Sequence, residues 1–292
     1  MPARKTKSIP NEPISQVKPI NHQIGFFPFA RYTSVVGVHS ILIVFTALFL
    51  PQTSFIFAKP EERVTDRPQS QFLEALTISP VLTLLWVCGG TVLLQSWWAG
   101  WMRIWCFDYN ARGNNTELKL ERVQYQKSRF ARFSQALTFT LAVSLVFHFI
   151  IVLFGAPIAG FLPHTFLLAL ILSFLTVFTP AYAIGQPSLA DDTGSLIIRF
   201  TWVRLFAELS SRNAMERAMV YPAFGAIVGC WSGAIPIALD WDRPWQAWPL
   251  TPLFGSITGY ILGSLSAVVV SAIHLLAEEH IKSQQPIKEK AT

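Results

Sequence analysis

The sequence predicts an all-α membrane protein, a polytopic bundle of six transmembrane helices with an amphipathic helix on the cytosolic face between the fourth and fifth spans. Apolar residues make up 52% of the 292 positions and charged residues 14%, against about 25% charged residues in a typical soluble domain. The apolar residues form six long runs, and none of the 23 Lys and Arg or 17 Asp and Glu residues lies inside one. A soluble enzyme and a basic nucleic-acid-binding protein are therefore excluded.

Each run is long enough to cross the membrane, because about 20 helical residues span roughly 30 Å of hydrocarbon. The residues before the first run, 1–32, are expected to form a disordered basic tail, and 277–292 a second tail. Continuously apolar runs also argue against an outer-membrane barrel, whose strands alternate in polarity. The predicted transmembrane domain, 33–276, contains these spans: 33–57, 78–101, 136–155, 164–184, 218–239 and 251–276.

The distribution of basic residues predicts the orientation of the bundle. The two terminal segments and the connections 101–135 and 185–217 carry 16 Lys and Arg residues close to a span, whereas the connections on the other side carry 4. Because Lys and Arg are enriched on the cytosolic side, both termini are expected in the cytosol. No cleavable signal peptide is visible, so the first span is expected to be retained.

The connection between the fourth and fifth spans contains a predicted interfacial helix, 195–210. Asp192 and Thr193 are favourable residues for a helix start, and apolar residues then cover most of the helical circumference. Arginines recur too often for a seventh span. At the C-terminus, Lys288 and Lys290 resemble a dilysine signal for retrieval to the endoplasmic reticulum; a solvated charged tail is the alternative.

Glycines at every fourth position predict close helix packing in the last two spans. Small residues at this spacing expose a backbone groove in which a second helix can approach closely. Because a short loop joins the two spans, we expect them to pack on each other; a groove that receives a helix from another protein is the alternative. The glycines are Gly225, Gly229 and Gly233 in the fifth span and Gly255, Gly259 and Gly263 in the sixth.

The sequence contains no recognisable catalytic set. The spans hold only single histidines, which are more often hydrogen-bonded helix contacts than ligands. No P-loop, H-E-x-x-H or G-x-S-x-G motif occurs, and no luminal segment offers the three ligands of a catalytic zinc. We therefore expect no catalytic residue, no metal site and no cofactor in this chain. The histidines within spans are His39, His148, His164 and His274.

The last luminal loop is a candidate recognition surface for a lipid headgroup or for the luminal edge of a partner. Asp240 and Arg243 are spaced to form an ion pair across one turn, and the tryptophans suit the headgroup level. An interfacial turn held by its own ion pair is the alternative, and two Asp residues without other ligands support acid–base work only weakly. The candidate residues are Asp240, Trp241, Asp242, Arg243, Pro244, Trp245, Gln246 and Trp248.

The same region carries a family resemblance. The run LDWDRPWQ at 239–246, with YPA at 221–223 and GAIPI at 233–237, closely resembles the PIG-F family of glycosylphosphatidylinositol (GPI) anchor biosynthesis proteins, as do the glycines of 255–263. TWVRLFAE at 201–208 and HTFL at 164–167 are similar to the same family, especially its fungal members. The resemblance is strong over 164–265 and looser over the first three spans.

The resemblance implies a non-catalytic subunit in the endoplasmic reticulum membrane. PIG-F proteins bind and stabilise the large ethanolamine phosphate transferases PIG-O and PIG-G, which move phosphoethanolamine from phosphatidylethanolamine to mannoses of the GPI precursor. The expected partners are PIG-O-like and PIG-G-like catalytic subunits and membrane lipid, which could include the GPI precursor, with no nucleic acid. Any metal would belong to the partner.

Two other functions remain open from the residues. A lipid carrier or flippase for a GPI precursor needs only kinked, uncharged spans, and it would move its substrate in liposomes without a partner. A small membrane-embedded transferase would use Asp240 and Asp242 as its acid–base pair, and it would show turnover alone.

Overall fold

The computed structural model describes residues 27–53, 70–110, 115–158 and 160–289, and all regular structure within these ranges is helical. Three shorter helices accompany the spans: α2 (Gln71–Thr77), α4 (Asn115–Lys127) and α7 (Thr193–Trp202). The protein is therefore an all-α polytopic membrane protein, as predicted. The helices long and apolar enough to cross a membrane are α1 (Phe29–Leu48), α3 (Pro80–Asn110), α5 (Arg129–Leu153), α6 (Leu162–Ala183), α8 (Ala214–Ser232) and α9 (Leu250–Glu289).

The first span differs from its predicted limits, 33–57. Helix α1 begins at Phe29, inside the predicted tail, and ends at Leu48. Pro51 has no backbone N–H to continue the helical hydrogen bonds and disfavours helical geometry in the residue before it, so the chain passes into a 3-10 turn, Leu50–Thr53. Residues 54–69 and the rest of the predicted tail, 1–26, lie outside the described residues.

Other helices continue well past their apolar runs. Helix α3 extends to Asn110 rather than to residue 101, and α9 extends to Glu289, through most of the predicted tail 277–292. An apolar run marks only the part of a helix that crosses hydrocarbon, and neither Gly nor Pro interrupts 277–285. The C-terminal segment is thus a helical extension as far as it is described.

Helix α7 covers the first half of the predicted interfacial segment 195–210. It begins after Asp192, whose side chain accepts a hydrogen bond of 3.0 Å from the backbone N–H of Ser195, and the hydrogen bonds from Ser195 hold the pKa of this carboxyl below its ordinary value. A π-helical turn, Val203–Ala207, follows the helix. The cytosolic, interfacial placement of α7 remains a prediction.

Helix α6 is the most enclosed span, with 83% of its most apolar window buried. A π-helical turn, Phe174–Phe178, interrupts it, and all five residues of this turn are buried. The helix packs against α3, α5 and α8, so it occupies the centre of the bundle. The fifth and sixth spans, α8 and α9, form the most extensive helix pair among the described elements and lie at the side of this centre.

Candidate functional site

The two glycine triplets face each other across the contact between α8 and α9. A Cβ atom built on Gly225 would lie 2.1 Å from the carbonyl oxygen of Gly259, and one on Gly229 would lie 2.1 Å from that of Gly255. Real Cβ atoms essentially never approach backbone within 3.0 Å. Only glycine therefore permits this separation of the two helices, which gains van der Waals contact along their length.

The same helix pair leaves an open apolar groove of about 610 Å³. Glycines of both helices form part of its surface, and large apolar side chains such as Phe224 and Leu262 border it and are more than half exposed. The groove thus presents backbone and apolar side chains together, a surface suited to lipid chains or to another transmembrane helix.

The loop between α8 and α9 is held by Gln246. Its Nε2 donates hydrogen bonds of 2.7 Å to the carbonyl oxygens of Pro236 and Leu239, and its Oε1 accepts one of 2.8 Å from the backbone N–H of Arg243. These three bonds close the segment 236–246 on itself. Sequence reasoning placed Gln246 in the recognition surface and missed this structural role.

The predicted ion pair between Asp240 and Arg243 is wrong. Among the residues that the structure describes, neither side chain takes part in a salt bridge. Asp242 has a positive φ of 46°, and Arg243 is extended, with φ −107° and ψ 144°. The segment is therefore not helical, so residues three positions apart do not meet on one face.

The structure divides the predicted recognition residues into two groups. Asp240, Trp241, Asp242 and Arg243 are exposed, whereas 244–248 are partly buried. Trp248 donates a hydrogen bond of 3.0 Å from Nε1 to Oγ1 of Thr165, a buried residue of α6. Pro244 begins the short 3-10 turn Pro244–Gln246, and the ring of Trp245 lies 5.6 Å from that of Trp241. The exposed group is the part available to a partner or a headgroup.

A buried polar cluster joins four helices and was not predicted. Gln95 of α3 is fully buried, and its Oε1 accepts hydrogen bonds from Thr179 of α6 at 3.1 Å and from Tyr260 of α9 at 3.5 Å. His39 of α1 meets the ring of the same Tyr260 edge-on, with ring centroids 5.8 Å apart, and stacks on Trp98 of α3 at 5.3 Å. A glutamine inside an apolar span was the available sequence signal, since buried polar groups need partners.

An ion pair connects the end of α7 to the start of α8. Arg204, in the π-helical turn, donates to both carboxylate oxygens of Glu216 at 2.9 and 2.6 Å. These hydrogen bonds hold the pKa of the Arg204 guanidinium above its ordinary value. The pair fixes the connection between the fourth and fifth spans against the first turn of α8.

The remaining predictions concern metal binding and the retrieval signal at the C-terminus. Within the described part of the chain, no group of three or more His, Cys, Asp or Glu residues could hold a metal ion. Lys288 lies in the last described turn of α9, and Lys290 lies outside the described residues. The retrieval signal therefore remains a prediction.

Comparisons with known proteins agree on one family. The model of the GPI biosynthesis protein family Pig-F matches residues 32–268. The human GPI ethanolamine phosphate transferase, stabilizing subunit, is 31% identical over 195 residues, which cover 66% of this chain and 78% of the relative. Glycosylphosphatidylinositol anchor biosynthesis protein 11 of Pyricularia oryzae is 40% identical over 129 residues, 44% of this chain and 43% of the relative.

A third relative, the PIGF/3-ketodihydrosphingosine reductase fusion protein of Schizosaccharomyces pombe, is 41% identical over 122 residues, which cover 42% of this chain and 22% of the relative. The matched part is thus less than half of each of these two fungal relatives. No solved structure matches the chain significantly. The family match covers most of the sequence, including in whole or in part all six apolar helices found among the described residues, and the chain belongs to the GPI biosynthesis protein family Pig-F.

Proposed function

We propose that this chain is a non-catalytic, stabilising subunit of a GPI ethanolamine phosphate transferase, needed for the addition of phosphoethanolamine to mannoses of the GPI precursor. The observation that carries the proposal is the match to the human stabilizing subunit, which extends over 78% of that relative. A match of this extent includes most of the membrane bundle rather than one shared motif.

The architecture supports a role in holding another membrane protein. The α8–α9 pair combines glycine-mediated packing with an open apolar groove, and its loop presents Asp240, Trp241 and Arg243 to the surface. A partner's transmembrane helix and the edge of its luminal domain are the matching surfaces. Catalysis, and any metal it uses, belong to PIG-O-like or PIG-G-like subunits in this proposal.

The proposed location is the endoplasmic reticulum membrane, with both termini in the cytosol. The excess of Lys and Arg on the side of the termini supports the orientation. In this orientation the loop 239–249 faces the lumen, and the predicted signal at Lys288 and Lys290 faces the cytosol.

Purification of the tagged protein from endoplasmic reticulum membranes in mild detergent tests the proposal. We expect a large ethanolamine phosphate transferase catalytic subunit to accompany the chain in a fixed stoichiometry. A chain that purifies alone, or with lipid only, and moves a GPI precursor in liposomes would contradict the proposal and support a carrier. Turnover by the isolated chain that is lost in Asp240→Asn would instead identify an enzyme.

The exposed part of the loop can be tested in the same purification. The double variant Asp240→Ala with Arg243→Ala removes two exposed charges without touching the hydrogen bonds of Gln246, because Arg243 contributes only its backbone N–H to them. We expect this variant to retain less of the catalytic subunit. The matched control is Lys119→Ala with Glu121→Ala, two exposed charges on α4. Equal retention by both double variants would remove the loop from the partner surface.

A further inference from the structure

Two arginines are buried at the same end of the bundle. Arg103 lies in the last turns of α3 and is 6% exposed, and Arg217 lies in the first turn of α8 and is 7% exposed. Burial of a charged group next to hydrocarbon costs several kcal/mol unless hydrogen bonds or an opposite charge compensate it. The two arginines differ in how far the protein itself supplies this compensation.

Arg103 is compensated by the protein. Its guanidinium donates hydrogen bonds to the carbonyl oxygens of Tyr182 at 3.4 Å and Tyr125 at 3.1 Å, and to the hydroxyl of Ser128 at 3.2 Å. It also lies over the rings of Tyr125 and Tyr182, 4.1 and 4.9 Å from their centroids. Carbonyl oxygens and aromatic faces stabilise a cation well, so this site needs no further anion.

Arg217 is not compensated in this way. Its Nε donates one hydrogen bond of 3.0 Å to the hydroxyl of Ser271 on α9. Among the described residues no carboxylate forms a salt bridge with it, since the neighbouring Glu216 is engaged by Arg204 and by the backbone N–H of Arg212. A guanidinium carries five N–H donors. The four on the two terminal nitrogens of Arg217 have no acceptor in the described part of the chain, and these nitrogens are not among its fully buried unpaired atoms, so they reach the surface of the bundle.

A second unsatisfied donor lies near this guanidinium. The hydroxyl of Tyr32 on α1 is fully buried and has no hydrogen-bond partner among the described residues. Tyr32 packs in the same buried cluster as Met215 and Ala218, which flank Arg217 on α8. A buried polar group without a partner destabilises the fold, so a single acceptor between Arg217 and Tyr32 would compensate both.

The depth of these residues identifies the region of the membrane. Tyr32 and Arg217 each lie three residues after the first residue of a span. Ser271 lies 21 residues after Leu250 on α9, roughly 31 Å along the helix, which is about the thickness of the hydrocarbon core. The three residues are therefore at one interface, at the end of the bundle where basic residues predominate.

We propose that Arg217 binds the phosphate group of a membrane phospholipid, with the hydroxyl of Tyr32 as a second donor. The planar guanidinium matches a phosphate with two parallel hydrogen bonds. Phospholipid phosphates are the abundant anions at this depth, and basic sites between transmembrane helices are known positions for lipid headgroups. The inference depends on the membrane placement of the bundle and is independent of the proposed transferase partner.

Lipid-dependent stabilisation tests this site. The protein is purified in mild detergent with any partner that accompanies it, and its thermal midpoint is titrated with phosphatidylinositol, with diacylglycerol and with inorganic phosphate. We expect phosphatidylinositol to raise the midpoint and diacylglycerol, which lacks the phosphate, to leave it unchanged. Arg217→Gln should weaken the apparent lipid affinity at least tenfold, and Arg122→Gln, which changes an exposed arginine on α4, should leave it unchanged.

Tyr32→Phe provides a second test of the site in case the Arg217→Gln variant does not fold. This variant removes a hydroxyl that has no partner, so the lipid-free midpoint should not fall, while the apparent lipid affinity should decrease severalfold. Arg217→Lys should retain part of the affinity because it keeps the charge. Unchanged affinity in Arg217→Gln or Tyr32→Phe, or equal stabilisation by diacylglycerol, would overturn the site. Equal stabilisation by inorganic phosphate would overturn the assignment to a lipid.

Discussion

Arg204 and Glu216 form a bidentate ion pair across the junction between α7 and α8, with their side chains 18% and 14% exposed. The same carboxylate accepts a hydrogen bond of 2.7 Å from the backbone N–H of Arg212. Asn213 caps α8 by accepting a hydrogen bond from the backbone N–H of Glu216 at 2.8 Å. One glutamate thus fixes the connecting segment, the cap and the first turn of the fifth span.

Loss of this pair should destabilise the junction. Arg204→Gln leaves the partly buried carboxylate of Glu216 without its main partner, and we expect a loss of about 1–3 kcal/mol of unfolding free energy. The control is Arg122→Gln, which breaks the exposed pair with Asp108 and should cost less than about 1 kcal/mol. Thermal unfolding of the purified variants measures both, and equal midpoints would contradict the structural role of the pair.

Glycine at the α8–α9 contact should be irreplaceable. In Gly229→Ala the new Cβ would lie 2.1 Å from the carbonyl oxygen of Gly255, so the helices must separate, at a cost of about 1–3 kcal/mol. Gly89→Ala is the matched control, since a Cβ there meets nothing within 4 Å, and replacement of glycine in a helix favours the folded state by up to about 1 kcal/mol. Similar midpoints for the two variants would contradict the contact.

The hydrogen bonds of the Gln246 side chain should keep the loop segment 236–246 in a fixed conformation. Gln246→Glu keeps the shape and the acceptor for Arg243, but it removes both donors to the carbonyl oxygens of Pro236 and Leu239. Each lost bond should cost about 0.5–1.5 kcal/mol. Hydrogen exchange and limited proteolysis should therefore increase within 236–246 and remain unchanged in α3. Unaltered protection of this segment would show that other contacts hold the loop.

Cysteine labelling in sealed microsomes should verify the orientation. In a chain without its native cysteines, Lys119→Cys on α4 should react with a membrane-impermeant maleimide directly, because its side is predicted to face the cytosol. Arg243→Cys should react only after permeabilisation. Both native residues are exposed, so access to the reagent is the variable measured. The reverse labelling pattern would invert the bundle.

The sequence was sufficient for the number of spans but not for their ends. A helix that crosses the hydrocarbon core needs an uninterrupted apolar run of about 20 residues, so the six apolar runs predicted six spans. The ends depend on other effects: Pro51 stops α1 early, whereas α9 continues through the polar residues after 276, where neither Gly nor Pro occurs over 277–285. The glycine spacing was informative because the close approach of two helices depends on the small residues along their facing sides, and this spacing can be read from the sequence.

The polar contacts could not be predicted because their partners are distant in sequence. Gln95 meets Thr179 and Tyr260, 84 and 165 positions away, and Arg217 meets Ser271, 54 positions away. The spacing of Asp240 and Arg243 was misleading, since a spacing rule holds only within a regular element. Local turns and distant contacts therefore required the structure, whereas membrane spans did not.

The half-life of the transferase catalytic subunit tests the central claim most directly. In cells that lack this chain, we expect the catalytic subunit to be degraded rapidly, because its membrane surface has no partner, and the half-life to return when the chain is supplied. The Gly89→Ala chain should restore it fully and the Gly229→Ala chain only in part. An unchanged half-life in cells that lack the chain, together with lost phosphoethanolamine addition, would contradict a stabilising subunit.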